Sequence, residues 1–420
     1  MSGWQEYTLG DIVDIKHGYA FGGEFFSETP TTDILVTPGN FKIGGGFKSS
    51  KLKYYNGVIP NDYILSCGDI IVTMTDLSKQ ADTLGYSAKV PNDPEKTFLH
   101  NQRIGLLKFK DKSFDKDFIY WLLRAEHYQK FVAGSATGAT VKHSSPSRIR
   151  AFKFKAPTSN VLRKKIAKTL SNYDDLIENN LKRIKLLEES ARLTYEEWFV
   201  RFRIDGKKLE IDAESGLPFG WEKRKLVSLC VNFTDGTHDS PNQVDGIDSY
   251  YLITGKHLAS NQIDFSTAYK ISESDFLKIS KRSGLRRNDI LFSNIGTLGH
   301  VAMVGKFIEF SCKNVFIFRP LKDVNCYLFE FLKYEQNKNN FIAQSSGSTQ
   351  KFISLQFMRS FETALAPVTI LHEFNKVVSG MYAQIDNLQD QNQLLKEARD
   401  ILLPRLMTGM IDTDDMDIAV

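Results

Sequence analysis

Cysteine is scarce in this chain of 420 residues: there are four, Cys67, Cys230, Cys312 and Cys326, and none forms a CxxC pair. That spacing argues against a disulfide framework and against a structural zinc site. No apolar run approaches the roughly 18 residues of a membrane span. The opening Met-Ser-Gly-Trp-Gln-Glu has no basic flank leading into an apolar stretch. The expectation is a cytoplasmic, reduced, soluble protein with no signal peptide and no membrane partner.

Catalytic signatures are missing as well. No GxxxxGK followed by Ser or Thr occurs, and Gly44-Gly45-Gly46 reads as a turn, not a phosphate loop. There is no HExxH, and the eight histidines are scattered without metal-ligand spacing. No Pro-Pro dipeptide is present, so the NPPY or DPPY type of adenine methyltransferase motif is absent. Asp14-Ile15-Lys16 supplies the D-x-K half of a nuclease signature, but no Pro-Asp precedes it. The reading is a chain with no catalytic residue and no metal site. Charge of one sign is also in short supply, with 54 Lys and Arg against 50 Asp and Glu for a net +4. Such a balance permits a nucleic-acid partner without arguing for one. With 42% hydrophobic and 25% charged residues, the composition is that of an ordinary globular protein long enough for more than one core.

What the chain does contain is itself, twice. Matching segments recur at an offset of about 210 to 220 residues, far longer than a solenoid period. Trp4 and Leu9 form a W-x-x-x-x-L pattern, as do Trp221 and Leu226. Gly68 to Thr73 parallels Asn288 to Ser293, each a turn followed by a buried strand ending in a hydroxyl residue. Leu84-Gly85-Tyr86 answers Leu298-Gly299-His300. The run Gly138 to Ser145, GATVKHSS, answers Gly347 to Ser354, GSTQKFIS, and each leads to an Ala-Pro, Ala156-Pro157 and Ala366-Pro367. Five pairs in one order indicate duplication.

Behind each proline the period becomes helical. Steps of four and three from Ile166 reach Leu170, Tyr173, Ile177, Asn180, Ile184, Leu187, Ala191, Thr194 and Trp198. A second ladder runs Phe374, Val378, Met381, Ile385, Leu388, Asn392, Leu395, Arg399 and Leu402. These are heptad seams, each broken by one Asn, which costs stability and fixes register. About 40 residues at 1.5 Å each make a rod of roughly 60 Å. The seams are expected to pair as an antiparallel intramolecular coiled coil; their length disfavours the other arrangement, each helix packed on its own unit. The layout is unit one at 1–158, a central helix at 159–203, unit two at 204–367, a C-terminal helix at 368–411 and an acidic tail at 412–420. The fold class is α+β, a pseudo-two-fold internal repeat of two tandem units. A helix is expected within the first unit around Phe118 to Val132.

The units are dense in polar loops. The first offers Lys42, Lys48 and Lys51 around the glycines, then Thr75, Ser78, Lys79 and Gln80. It adds Asn101, Gln102 and Arg103, and Thr140, Lys142, His143 and Ser144. The second offers Thr234, Asp235, Thr237 and His238, then Lys256 and His257, then Ser293, Asn294 and Thr297, and finally Ser348, Thr349, Gln350 and Lys351. Lys and Arg neutralise phosphates, while Asn, Gln, Arg and Asp can read base edges. Matched donor-rich loops on duplicated units suit the reading of two double-stranded DNA half-sites.

The whole pattern resembles the specificity subunits of type I restriction-modification systems. The residues that carry the likeness are the two W-x-x-x-x-L openings, GATVKHSS and GSTQKFIS, and Leu170 to Ile177. Glu196 to Val200 and Leu402 to Gly409 belong with them. The resemblance implies two target recognition domains, each reading half of a split DNA site, and two spacer helices that set the gap. It implies docking of two methyltransferase (M) subunits, with restriction (R) subunits outside them. S-adenosylmethionine, ATP and magnesium would belong to those partners, and a partner would flip the adenine to be methylated. Lys182, Lys185, Glu188 and Glu189, with Trp198-Phe199 and Pro404-Arg405, are the docking candidates. Two other readings stay open: an enzyme with an unrecognised site, and a scaffold whose units bind protein.

Overall fold

The computed structural model describes residues 3–76, 81–138, 141–246, 248–347 and 351–411, the side chain of Ser260 aside. The acidic tail, with Ser78, Lys79, Gln80, Thr140, Ser348, Thr349 and Gln350, lies outside the described residues. The fold is α+β and divides into two units. One comprises the chain up to Asn179 and again from Asn392; the other is Asn180–Gln391.

In the first unit, Ile104–Phe109 is the centre of an antiparallel sheet. Val13–His17 lies on one side of it, Ile70–Thr73 on the other, and Ser87–Lys89 beyond. Successive side chains on a strand face opposite ways, and both faces here are covered. Ile70 and Val72 enter a core with Trp121, Phe118 and Tyr128. Ile71, Ile104 and Leu106 enter another with Ile34, Val36 and Phe98. That double burial explains the unbroken apolar run that the sequence shows at 70–72. The second core is closed by a five-stranded sheet in which Thr97–His100 runs parallel to Asp33–Val36. Trp4–Thr8 pairs antiparallel with Lys153–Pro157, so the start of the unit is tied to its end.

The second unit repeats this plan. Val315–Pro320 lies between Cys230–Asp235 and Ile290–Ser293, with Val301–Met303 outermost. Ser249–Ile253 runs parallel to Phe310–Cys312, and Glu222–Lys225 pairs antiparallel with Glu362–Leu365. The alternation recurs: Ile290, Phe292, Phe316 and Phe318 face one core, Leu291, Val315 and Ile317 the other. The units differ beside the parallel pair. Each has an antiparallel strand on one side, Lys53–Tyr55 in the first and Lys270–Ser272 in the second. The first adds Phe26–Ser27 and Ile64–Leu65 to the sheet, whereas the second follows its strand with helix Glu273–Ser283, capped by Ser272.

The helix expected around Phe118 to Val132 is instead two, Lys116–Leu122 and Glu126–Gly134. The chain turns at Leu123 to Ala125, where Ala125 is extended and the Arg124 side chain is buried. Apolar spacing continues across the break, with Phe118, Tyr128 and Val132 all buried, so periodicity alone does not mark it.

The long helices are Asn160–Tyr195 and Val368–Met407. The first ends in a π turn, Glu196–Val200, short of the expected residue 203; Phe202 is left-handed and Arg203–Ile204 is already a strand. In the first unit, Ile166, Ala167 and Leu170 share the Trp121 core with Leu403, Leu406 and Met407. Asp174 is bonded to Arg399 in that unit. In the second, Ile184 clusters with Ile385 and Leu388, while Ala191, Tyr195 and Trp198 join Phe374 and Val378. Within each unit, then, the helical stretches pair antiparallel, and the same stretches complete the globular core. The two arrangements weighed from sequence are both present. Asn180 and Asn392, the seam asparagines, are buried. Trp198 and Phe199 are core residues of the second unit, which removes them as docking candidates.

Phe374 is fully buried where Tyr195, Trp198 and Phe199 converge, its ring 5.0 Å from that of Phe199. Phe374→Ala is expected to cost about 3–5 kcal/mol. Leu394→Ala, at a side chain 65% exposed, should cost under about 0.5 kcal/mol. Urea denaturation of the two variants checks the contrast.

Candidate nucleic-acid interface

In the first unit three of the nominated loops, those around Thr75, Gln102 and His143, are joined by main-chain hydrogen bonds into a single rim. Gln102 N–H donates to the Tyr19 carbonyl at 2.9 Å, and Tyr19 N–H donates to the His100 carbonyl at 2.8 Å. Met74 N–H donates to the Arg103 carbonyl at 3.0 Å, and Ser144 N–H to the Met74 carbonyl at 2.9 Å. Thr75–Asp76 pairs with Lys142–His143, and Thr137 and His143 exchange both their N–H···O bonds. A rim so tied holds its exposed side chains on a fixed backbone, as a reading surface requires.

The second unit builds the same rim from different residues. Gly236 N–H donates to the Val315 carbonyl at 2.8 Å, and Thr237 N–H to the Cys312 carbonyl at 2.9 Å. Ile353 N–H donates to the Asn294 carbonyl at 2.9 Å, and Ser346 and Phe352 exchange both bonds. Gly18 and Gly236 stand at matching places. A Cβ there would lie 2.1 Å from the Asn101 carbonyl oxygen in one unit and 2.2 Å from that of Cys312 in the other. Gly138 and Gly347 are both left-handed, each at φ 102°, a conformation that glycine adopts without steric cost.

The parallel strands end in a further shared device. Thr37 N–H donates to Asn40 Oδ1 at 2.9 Å, and Thr254 N–H to His257 Nδ1 at 2.9 Å. Thr37-Pro38-Gly39-Asn40 and Thr254-Gly255-Lys256-His257 are thus the same cap. The signal was available as a fourth-position hydrogen-bonding side chain behind each hydrophobic strand, but the residue types differ.

The nominated side chains separate into two groups. Lys42, Lys48, Lys51, Gln102, Arg103, His143, His238, Lys256, Thr297 and Lys351 are exposed, and Lys142, Ser144 and Thr234 are half-buried. Thr75, Asn101, Asp235, Thr237, His257, Ser293 and Asn294 are buried. Most of the buried group is engaged in holding the rim. Thr75 Oγ1 meets His143 Nδ1 at 3.1 Å, and Asn101 Oδ1 accepts from Arg103 N–H at 3.0 Å. Ser293 Oγ donates to the Thr297 carbonyl and accepts from His300 N–H. Asp235 binds His238 Nε2 at 2.7 Å and Arg282 at 3.3 Å. Thr75, Asn101, Ser293 and Asp235, expected as surface donors, thus serve as supports, with these polar atoms engaged inside the fold. Burial also lowers the His257 pKa, and drives that of His100 down to about 4. Arg282 was missed from sequence; it sits on the inserted helix and its Nη2 donates to the Gly236 carbonyl at 2.6 Å.

The cysteines are unpaired, with Cys312 and Cys326 buried; burial pushes the Cys230 and Cys326 thiols up to about 12. Asp14 of the D-x-K tripeptide is ion-paired with Arg150 at 3.1 Å. Among the described residues no cluster of three or more His, Cys, Asp or Glu could hold a metal. None of their helices is long and apolar enough to cross a membrane.

Comparison with known proteins agrees along most of the chain. Residues 1–189 and 218–397 each match the family model described as the type I restriction modification DNA specificity domain. The EcoBI type I restriction enzyme specificity subunit of Escherichia coli is 23% identical, across 92% of this chain and 81% of that one. The MjaIX specificity subunit of Methanocaldococcus jannaschii is also 23% identical, across 71% of this chain and 70% of its own length. Among solved structures, the type I restriction-modification S subunit from M. genitalium superposes with a TM-score of 0.56 at 17% identity, covering 96% of both chains. That structural likeness speaks for the fold.

Because the obstructing atoms at Gly18 and Gly236 are main chain, they cannot yield as a side-chain tip would. Gly18→Ala and Gly236→Ala should each destabilise their unit by about 1–3 kcal/mol. Gly305→Ala meets no atom within 4 Å and should be nearly neutral. Thermal denaturation of the three variants tests this.

Proposed function

The chain belongs to the type I restriction modification DNA specificity family, and on that premise we propose that each unit reads one half of a split, asymmetric DNA target. The observation that carries this reading is the pair of rims: one backbone design, two sets of exposed side chains. Gln102, Arg103 and His143 face outward in the first unit; Thr297 and Lys351 do so in the second. A shared backbone with unlike donors would bring two loops to the groove in the same way and read different bases there. Lys48, Lys51, Lys142 and Lys256 supply the phosphate contacts, which position the protein without carrying sequence.

The chain would do no chemistry itself. It would dock two methyltransferase subunits and, through them, restriction subunits, with S-adenosylmethionine, ATP and magnesium held by those partners. The methyltransferase would flip an adenine from the duplex, and this chain would decide which one. The exposed helix residues Lys182, Lys185 and Glu189, with Pro404 and Arg405 near the end of the second helix, are the docking surface. The assembly would work in the cytoplasm, on the DNA there.

Long-read methylation sequencing of the host with and without the gene tests the proposal. Deletion should abolish one split, asymmetric N6-methyladenine motif. Purified chain should bind DNA with an affinity that falls as salt rises, since each neutralised phosphate releases counterions. An unchanged methylome together with salt-independent or absent DNA binding would favour the protein-binding scaffold instead.

A further inference from the structure

Arg124 is almost fully buried and gathers three parts of the first unit. Its Nε donates to the Gly44 carbonyl at 2.9 Å, and Nη1 donates to Tyr120 Oη at 3.0 Å and to Asp174 Oδ2 at 2.5 Å. Its guanidinium lies 4.1 Å from the Trp121 ring centroid. The Gly44-Gly45-Gly46 loop, left-handed throughout, closes over it so tightly that a Cβ on Gly45 would lie 2.5 Å from Arg124 Cγ. That loop joins Lys42 to Lys48. The other Asp174 oxygen binds Arg399 Nη1 at 2.5 Å. One carboxylate thus ties the globular body, through Arg124, to both helical stretches. Burial opposes ionisation of Asp174, but the two guanidiniums prevail and hold it below the ordinary carboxylate range.

The second unit has a counterpart in other chemistry. Lys333 stands as far ahead of Gly347 as Arg124 does of Gly138. Its Nζ binds Glu330 Oε1 at 3.1 Å and Tyr382 Oη at 3.3 Å, and Tyr382 Oη donates to the same Glu330 oxygen. Tyr382 lies on the helix that follows its globular body, as Asp174 does on the helix that follows the first. Duplication has kept a buried polar joint at this place while changing its residues.

Apolar packing is non-directional and tolerates a roll of one body on another. A charge-assisted joint, whose hydrogen bonds are directional, fixes orientation as well as distance. We infer that the Arg124–Asp174–Arg399 bridge and the Lys333–Glu330–Tyr382 cluster are latches that lock each reading rim to the helices, and so make the protein intolerant of a changed gap between half-sites. This rests on the DNA-reading function proposed above. One added base pair shifts the far half-site by about 3.4 Å and turns it by about a tenth of a helical turn. Only a body held against rotation can reject that change. Asp174, Arg124 and Tyr382 are positioning residues on this reading and touch no base.

The test uses the full chain assembled with its methyltransferase subunits. Methylation rates are measured on duplexes carrying the native gap, one base pair fewer and one more, and on native-gap duplexes with one half-site mismatch. Asp174→Asn should lower discrimination between gaps about tenfold, the size of one lost charge-assisted bond, and leave mismatch discrimination unchanged. Arg399→Gln and Tyr382→Phe, which each remove one arm at a different place, should act in the same direction. Gap discrimination equal to wild type in folded Arg399→Gln and Tyr382→Phe complexes overturns the latch. So does a parallel loss of gap and mismatch discrimination, which marks general loosening. Failure of the wild-type complex to methylate any split target overturns the DNA-reading function itself.

Discussion

Neither globular body can close its core without both long helices. In the first unit the Trp121 core takes Ile166 and Leu170 from the central helix and Leu403 and Leu406 from the C-terminal one. In the second, the Phe199 core takes Ala191 and Tyr195 from one helix and Phe374 and Val378 from the other. Each buried Leu, Ile, Val or Phe among them is worth about 1.5–3 kcal/mol relative to exposure, so this shared burial is a main part of each unit's stability. Folding a unit therefore demands antiparallel pairing of helical stretches from two distant parts of the chain. The constraint makes the reading bodies and the helices one mechanical object within each unit.

The rims follow from the sheet. Strands buried on both faces, such as Ile70–Thr73 and Ile290–Ser293, end in hydroxyls that are themselves buried. Beyond them the main chain must still satisfy its polar groups, and it does so by bonding loop to loop. Buried supports such as Thr75, Asn101 and Ser293 fix the backbone, which frees exposed neighbours such as Gln102, Arg103 and Thr297 to differ between units. The polar joints at Arg124 and Lys333 lie on the opposite side of this logic, where body meets helix, and add direction to apolar packing.

Legibility in the sequence followed the range of the interaction. The heptad seams are local, and every rung is buried or half-buried, Arg399 included, as an ion-paired member. The duplicated turn-and-strand at Gly68 to Thr73 and Asn288 to Ser293 was legible for the same reason. Contacts made across long loops were not. Nothing near Gly18 or Gly236 announces that a carbonyl eighty or so residues away will press on it. The equivalence of Asn40 with His257 is hidden because two residue types fill one capping role. Trp198-Phe199, a docking candidate from sequence, lies in the π turn at Glu196–Val200 and belongs to the core of the second unit. Among the donors, residue type alone could not distinguish exposed Arg103 from buried Asn101 two places earlier.

The most direct measurement is base-by-base mapping of the methylated motif for two paired substitutions, one set in each rim. One variant carries Gln102→Ala with Arg103→Ala, the other Thr297→Ala with Lys351→Ala. If each unit reads its own half-site, the first should relax or shift bases in one half of the motif only, and the second in the other half only. Changes by both variants in the same half, or a uniform loss of methylation with the motif unaltered, would contradict the assignment of one half-site to each unit.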